Sequence, residues 1–170
     1  MAKFRIDSLA SLARQMTFTP LEARHLQLGA AERLLLDISP EKAYPLEFII
    51  YRITGYHPKG MGKSLLAGEA LQHDLGLLIE QISDAMDIRT DAMVESVLSI
   101  EDVAGTFHVT SKTIQRWRRR GLPARRLIFA DGKKRVGFVL SLVQKFIETQ
   151  SDLAPREAIV STPSEREQAY

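Results

Sequence analysis

Apolar positions recur at helical spacing through the first forty residues, and the run from Leu21 to Leu36 is rich in Leu, Ala, Glu and Arg, all strong helix formers. Ser39-Pro40 ends that run, because a residue before proline is pushed out of helical backbone. Residues 46–54, LEFIIYRIT, suit either a buried helix or a strand, and periodicity does not choose between them. Residues 55–64, GYHPKGMGKS, form a loop by their glycine and proline content. Residues 65–88 predict another helix, in which Leu71, Leu75, Leu78, Ile82 and Ala85 alternate spacings of four and three. The stripe covers about two heptads, too few for a coiled coil, and is assigned to packing within an N-terminal domain.

A different pattern begins after a short connection at residues 89–98. Ser99 can cap a helix whose Ile100, Val103, Ala104 and Phe107 make one apolar stripe. His108-Val109 forms a turn, and Thr110 caps a second helix, TSKTIQRWRRR, stopped by Gly121. Two short β-prone runs, LPARRLIF and RVGF, flank Ala130-Asp131-Gly132-Lys133. An Asp-Gly pair in that setting predicts a hairpin whose two central residues both tolerate positive φ. Ser141 then caps a closing helix with Leu142, Val143, Phe146 and Ile147 on its apolar face. The last twenty residues carry two prolines and no sustained period, and read as a tail or linker. The expected organisation is mainly α: a helical domain over residues 1–95, a small winged helix-turn-helix with a β-hairpin wing over 98–148, and a flexible tail over 149–170.

Charge sharpens this division. The net charge of +2 over 170 residues conceals −3 across residues 1–98 (10 Lys/Arg, 13 Asp/Glu), +7 across 99–150 (11 against 4) and −2 across 151–170 (2 against 4). A compact cationic segment beside mildly acidic ones points to a polyanion-binding module. Cysteine is absent, which excludes disulfides and thiolate metal sites. No apolar run is long enough to span a bilayer, and the N-terminus lacks the apolar core of a secretory signal, so a cytoplasmic protein is expected.

At 100° per residue, Thr110, Ile114 and Trp117 cluster on one side of the second helix, and Lys112, Gln115, Arg116 and Arg119 on the other. The second group is suited to base edges: Arg and Lys pair with guanine O6 and N7, and Gln with adenine. Ser111 at the helix start, with Arg118, Arg120, Arg125, Arg126, Lys133, Lys134 and Arg135, is suited to phosphate. Trp117 belongs to the core by its place on the apolar side. Gly62-Lys63-Ser64 resembles the end of a phosphate-binding loop, but His57 stands where the first glycine is required. The four histidines lack metal-ligand spacing, and no catalytic constellation stands out. No cofactor and no enzymatic activity are expected.

The run SIEDVAGTFHVTSKTIQRWRRRGLPARRLIF…KKRVGFVLSLVQKFI resembles the winged helix-turn-helix of the MerR and phage-excisionase group. The order AERLLLDISPEKAYPLEFIIYRITGYHP, then LLAGEALQHDLGLLIEQIS, then this motif, resembles the N-terminal extension of some bacterial RNA polymerase sigma factors. Residues 151–170 do not supply the core-polymerase and promoter-binding regions that follow in those proteins, so the chain by itself is not expected to replace a sigma factor. The resemblances imply duplex DNA as partner, a transcriptional role and contact with RNA polymerase. Two alternatives are an adaptor that docks on polymerase and an excisionase-like factor that bends DNA. One such motif makes few base contacts, so tight specific binding calls for a second copy or a partner.

Overall fold

In the computed structural model, which describes residues 2–60 and 64–150, the chain divides into two units, Met1–Asp87 and Ile88–Tyr170. Both are mainly helical with a small sheet, in keeping with the expected class.

The first unit runs α1 (Asp7–Met16), α2 (Leu21–Asp37), β1 (Ala43–Pro45), α3 (Leu46–Thr54), β2 (Leu65–Ala67) and α4 (Gly68–Met86). In α1 the residues Leu9, Leu12, Ala13 and Met16 are buried at i, i+3, i+4 and i+7, one face of a helix. The ambiguous segment 46–54 is helical for the same reason. Leu46, Ile49, Ile50 and Ile53 are buried, while Phe48 and Tyr51 are exposed. Leu71, Leu75, Leu78 and Ile82 of α4 are buried and face α1 and α2, but Ala85, one residue from the helix end, is exposed.

The expected helix from residue 65 is corrected at its start. Leu65–Ala67 is a strand, antiparallel to β1, with Tyr44 opposite Leu66. Its partner lies more than twenty residues earlier, a pairing that local periodicity cannot register. Gly68 begins α4 because any side chain would collide with the Ser39 carbonyl oxygen, and a Cβ would lie 2.8 Å from that of Lys42. Gly62-Lys63 of the resemblance to a phosphate loop falls in 61–63, outside the described residues.

Asp74 anchors the start of the chain. Its side chain is fully buried in α4 and accepts from the backbone N–H groups of Arg5 (3.0 Å) and Ile6 (2.7 Å), just before α1. His73 Nδ1 lies 2.8 Å from the same carboxylate. The N-cap of α1, Ile6, has no side-chain cap of its own, and the distant carboxylate instead takes the backbone N–H groups of Ile6 and the residue before it.

The second unit runs β3 (Val97–Leu98), α5 (Ile100–Phe107), α6 (Ser111–Arg119), β4 (Arg125–Ile128), β5 (Lys134–Val139) and α7 (Leu140–Gln150). The strands are antiparallel in the order β3-β5-β4. Its core holds Val103, Ile114, Trp117, Leu122, Leu127, Phe138, Val143 and Phe146. Residues 89–98 are more than a connection. The Ile88 carbonyl accepts from Ile128 N–H at 2.8 Å, Arg89 bridges to Ile128, and Val97–Leu98 extends the sheet along β5. The closing helix starts at Leu140 rather than after Ser141, because Leu140 N–H donates to the Ser96 carbonyl at 2.9 Å and Val139 runs from the strand directly into it. Val143 and Phe146 are buried there, while Leu142 and Ile147 are half-buried. Residues 149 and 150 belong to this helix, and the expected tail at 151–170 lies outside the described residues.

Replacing Asp74 with Ala strands the Arg5 and Ile6 amides. The expected cost is about 1–3 kcal/mol, with Asp74→Asn losing less, measured as urea unfolding followed by far-ultraviolet circular dichroism. Equal stability of wild type and Asp74→Ala would refute the anchoring role.

Candidate nucleic-acid interface

The candidate interface is built on two helix starts. Ser99 accepts from Asp102 N–H at 3.1 Å, and the Asp102 carboxylate accepts from Ser99 N–H at 3.2 Å, a reciprocal capping box at α5. His108 closes α5 at φ 57°, one of two non-glycine residues with positive φ among the described residues. Thr110 Oγ1 then accepts from Thr113 N–H at 3.1 Å and caps α6. Both caps stand where the residue types place them.

Burial sets the rotation of α6. Thr113, Ile114 and Trp117 are buried, and Trp117 meets Phe146 of α7 with ring centroids 5.8 Å apart at 50°. Thr110, grouped by angle with Ile114 and Trp117, is exposed, because as the cap it stands at the helix mouth. Lys112, Arg116 and Arg119 are exposed together on the opposite side, as are Ser111 and Arg120 near the two ends. Gln115 and Arg118 are half-buried.

Several of these groups are held. Arg116 Nη2 donates to Thr113 Oγ1 at 3.0 Å, and Thr113 Oγ1 also accepts from Thr110 Oγ1 at 3.2 Å. Arg118 Nη1 donates to Gln115 Oε1 at 3.0 Å. Gln115, expected to meet a base, therefore has its acceptor engaged within the helix. Thr113 went unnoticed at the sequence level, although the i, i+3 spacing of Thr113–Arg116 and Gln115–Arg118 signals both pairs.

The hairpin β4–β5 differs from the expected two-residue turn. Phe129 N–H donates to the Lys133 carbonyl at 2.9 Å, which leaves Ala130, Asp131 and Gly132 as a three-residue loop. Gly132 N–H returns to the Phe129 carbonyl at 2.8 Å, and only Gly132, at φ 83°, is left-handed. This is the turn-plus-bulge solution, in which a single glycine supplies the required conformation. Asp131 stays at negative φ and caps the loop, accepting from Lys133 N–H at 3.0 Å and pairing with Arg135. The Arg135 guanidinium lies 5.5 Å over the Phe129 ring.

Strand register distributes the cations of the hairpin. Arg125 lies opposite Gly137 and Leu127 opposite Arg135, so Arg125 and Arg135 share the face of buried Leu127. Arg126 and Lys134 share the other face. The cations of the expected wing are thus divided, Arg125 and Arg135 on one face, Arg126 and Lys134 on the other, and Lys133 closing the loop.

No protein-family model, curated protein or solved structure gives a significant match to this chain. Among the described residues no helix is long and apolar enough to cross a membrane.

Asp131 is held below the ordinary carboxylate range, chiefly by the Lys133 amide, against an opposing desolvation, and with further help from Arg135. A depressed pKa in the folded state contributes stability that is present above the unfolded pKa and is lost as pH falls through the folded one. Asp131→Asn is expected to lower the melting temperature slightly at neutral pH and to match wild type in acid. A gap that persists undiminished below about pH 3 would show that charge is not its cause.

Proposed function

We propose that the second unit is a winged helix-turn-helix that binds double-stranded DNA. One observation carries this reading: α6 buries Ile114 and Trp117 and thereby turns Lys112, Arg116 and Arg119 outward together, within a segment of net charge +7. A face that gathers one sign of charge attracts a polyanion, and a helix fits the major groove. The helix α6 enters that groove, with Lys112, Arg116 and Arg119 towards base edges, while Gln115 holds Arg118. The hairpin β4–β5 is the wing. Ser111, Arg118, Arg120 and Lys133 take phosphate together with Arg126 and Lys134, on the hairpin face away from buried Leu127, rather than Arg125 and Arg135, which share the Leu127 face. The likeness to sigma-factor extensions supports a transcriptional role near a promoter, with RNA polymerase as a further partner.

The test is fluorescence-anisotropy titration of the full chain against random and promoter-region duplexes at several salt concentrations. With about five phosphates engaged, log affinity falls against log salt with a slope of about −4 to −5. Lys134→Ala weakens all duplexes alike, whereas Arg119→Ala costs roughly 1–3 kcal/mol on preferred duplexes and little on scrambled ones. Absence of duplex binding at low salt overturns the reading and directs attention to capture of RNA polymerase.

A further inference from the structure

Of the four side chains on the outward side of α6, Lys112, Arg116 and Arg119 are pure hydrogen-bond donors. In the major groove guanine offers two neighbouring acceptors, O6 and N7, whereas adenine offers one acceptor beside a donor. Gln115 is the side chain on this face that could match adenine, using Oε1 to accept and Nε2 to donate. Its Oε1 already accepts from Arg118 Nη1 at 3.0 Å, and the residue is half-buried. Pairing Gln115 with adenine would have to share an oxygen that Arg118 already holds and keep the amide plane in the setting that bond imposes. Arg116, by contrast, is oriented by its neighbour. The bond from Nη2 to Thr113 Oγ1 limits rotation of the planar group, and Thr113 is itself buried and tied to Thr110. A bidentate guanine contact needs two donors in one plane, so a group whose plane is set beforehand loses less freedom on binding.

Resting on the DNA-binding reading above, we infer that this interface selects guanine. Arg116 and Arg119 are the readers, Thr113 is the positioning residue that aims Arg116, and Gln115 is locked by Arg118 and contributes no base preference.

The experiment is selection of bound duplexes from a randomised library by the full chain, followed by anisotropy on the selected duplex and on base analogues. The selected site is expected to contain guanine. Replacing that guanine with 7-deazaguanine, which lacks the N7 acceptor, should weaken binding about tenfold. Replacing it with hypoxanthine, which keeps O6 and N7 in the major groove, should change affinity less than about twofold. Arg116→Lys, which keeps the charge but lacks the planar fork, should reduce the discrimination while keeping the salt dependence. Thr113→Val should reduce discrimination without altering the buried Trp117 emission, and Gln115→Ala should leave it intact. Salt-dependent binding that tolerates 7-deazaguanine, or whose preference vanishes in Gln115→Ala, overturns guanine selection while leaving DNA binding in place. Absence of duplex binding at any salt overturns both.

Discussion

Ile114 and Trp117 occupy the buried side of α6, Trp117 against Phe146 of α7, and the rest of the second unit depends on that contact. Burying two large side chains on one side of a helix of nine residues contributes several kcal/mol, roughly 1.5–3 per side chain. It also leaves the helix a single rotational setting. Lys112, Arg116 and Arg119 face outward because turning them inward would bury unpaired charge at a greater cost. The caps at Ser99 and Thr110 hold the starts of the two helices, so the angle at which α6 leaves the turn is set on both sides of His108.

Gathering so many cations on one unit is electrostatically unfavourable in the absence of a polyanion. The fold moderates this locally. Asp131 pairs with Arg135 and caps its own loop, Gln115 accepts from Arg118, and Thr113 accepts from Arg116. These bonds also reduce the rotamer freedom of long side chains that an unpaired arginine would lose on binding. The proposed contact surface is in this sense partly organised before any ligand arrives, with Lys112 and Arg119 exposed beside the held groups.

The first unit is built by another logic. Two short strands each run straight into a helix, β1 into α3 and β2 into α4, and the strands pair with one another. Its polar anchor, Asp74, reaches across 68 residues to the Ile6 amide at the start of α1. The second unit relies on contacts three residues apart for its caps at Ser99 and Thr110, and the first relies on contacts between distant segments.

That contrast explains what could be read from the residues. The two caps, the outward set of α6, the core place of Trp117 and the concentration of charge follow from residue type and a 100° step, because each depends on neighbours within one turn of helix. The strand at 65–67, the strand at 97–98 and the Asp74 anchor depend on partners far along the chain, whose proximity is created only by folding. The hairpin lay between these extremes. Asp131-Gly132 marked its position, but the Phe129–Lys133 pairing and the Arg135 contact with Asp131 selected a three-residue loop with one left-handed residue. Strand register likewise put Arg126 and Lys134 on a different face from Arg125 and Arg135, a division invisible in a count of basic residues. The sequence by itself determined which side chains carry charge and which helix presents them, since those are properties of composition and helical phase. Tertiary structure decided which of them are held, by what partner and on which face, since those depend on distances between segments that only the packed core brings together.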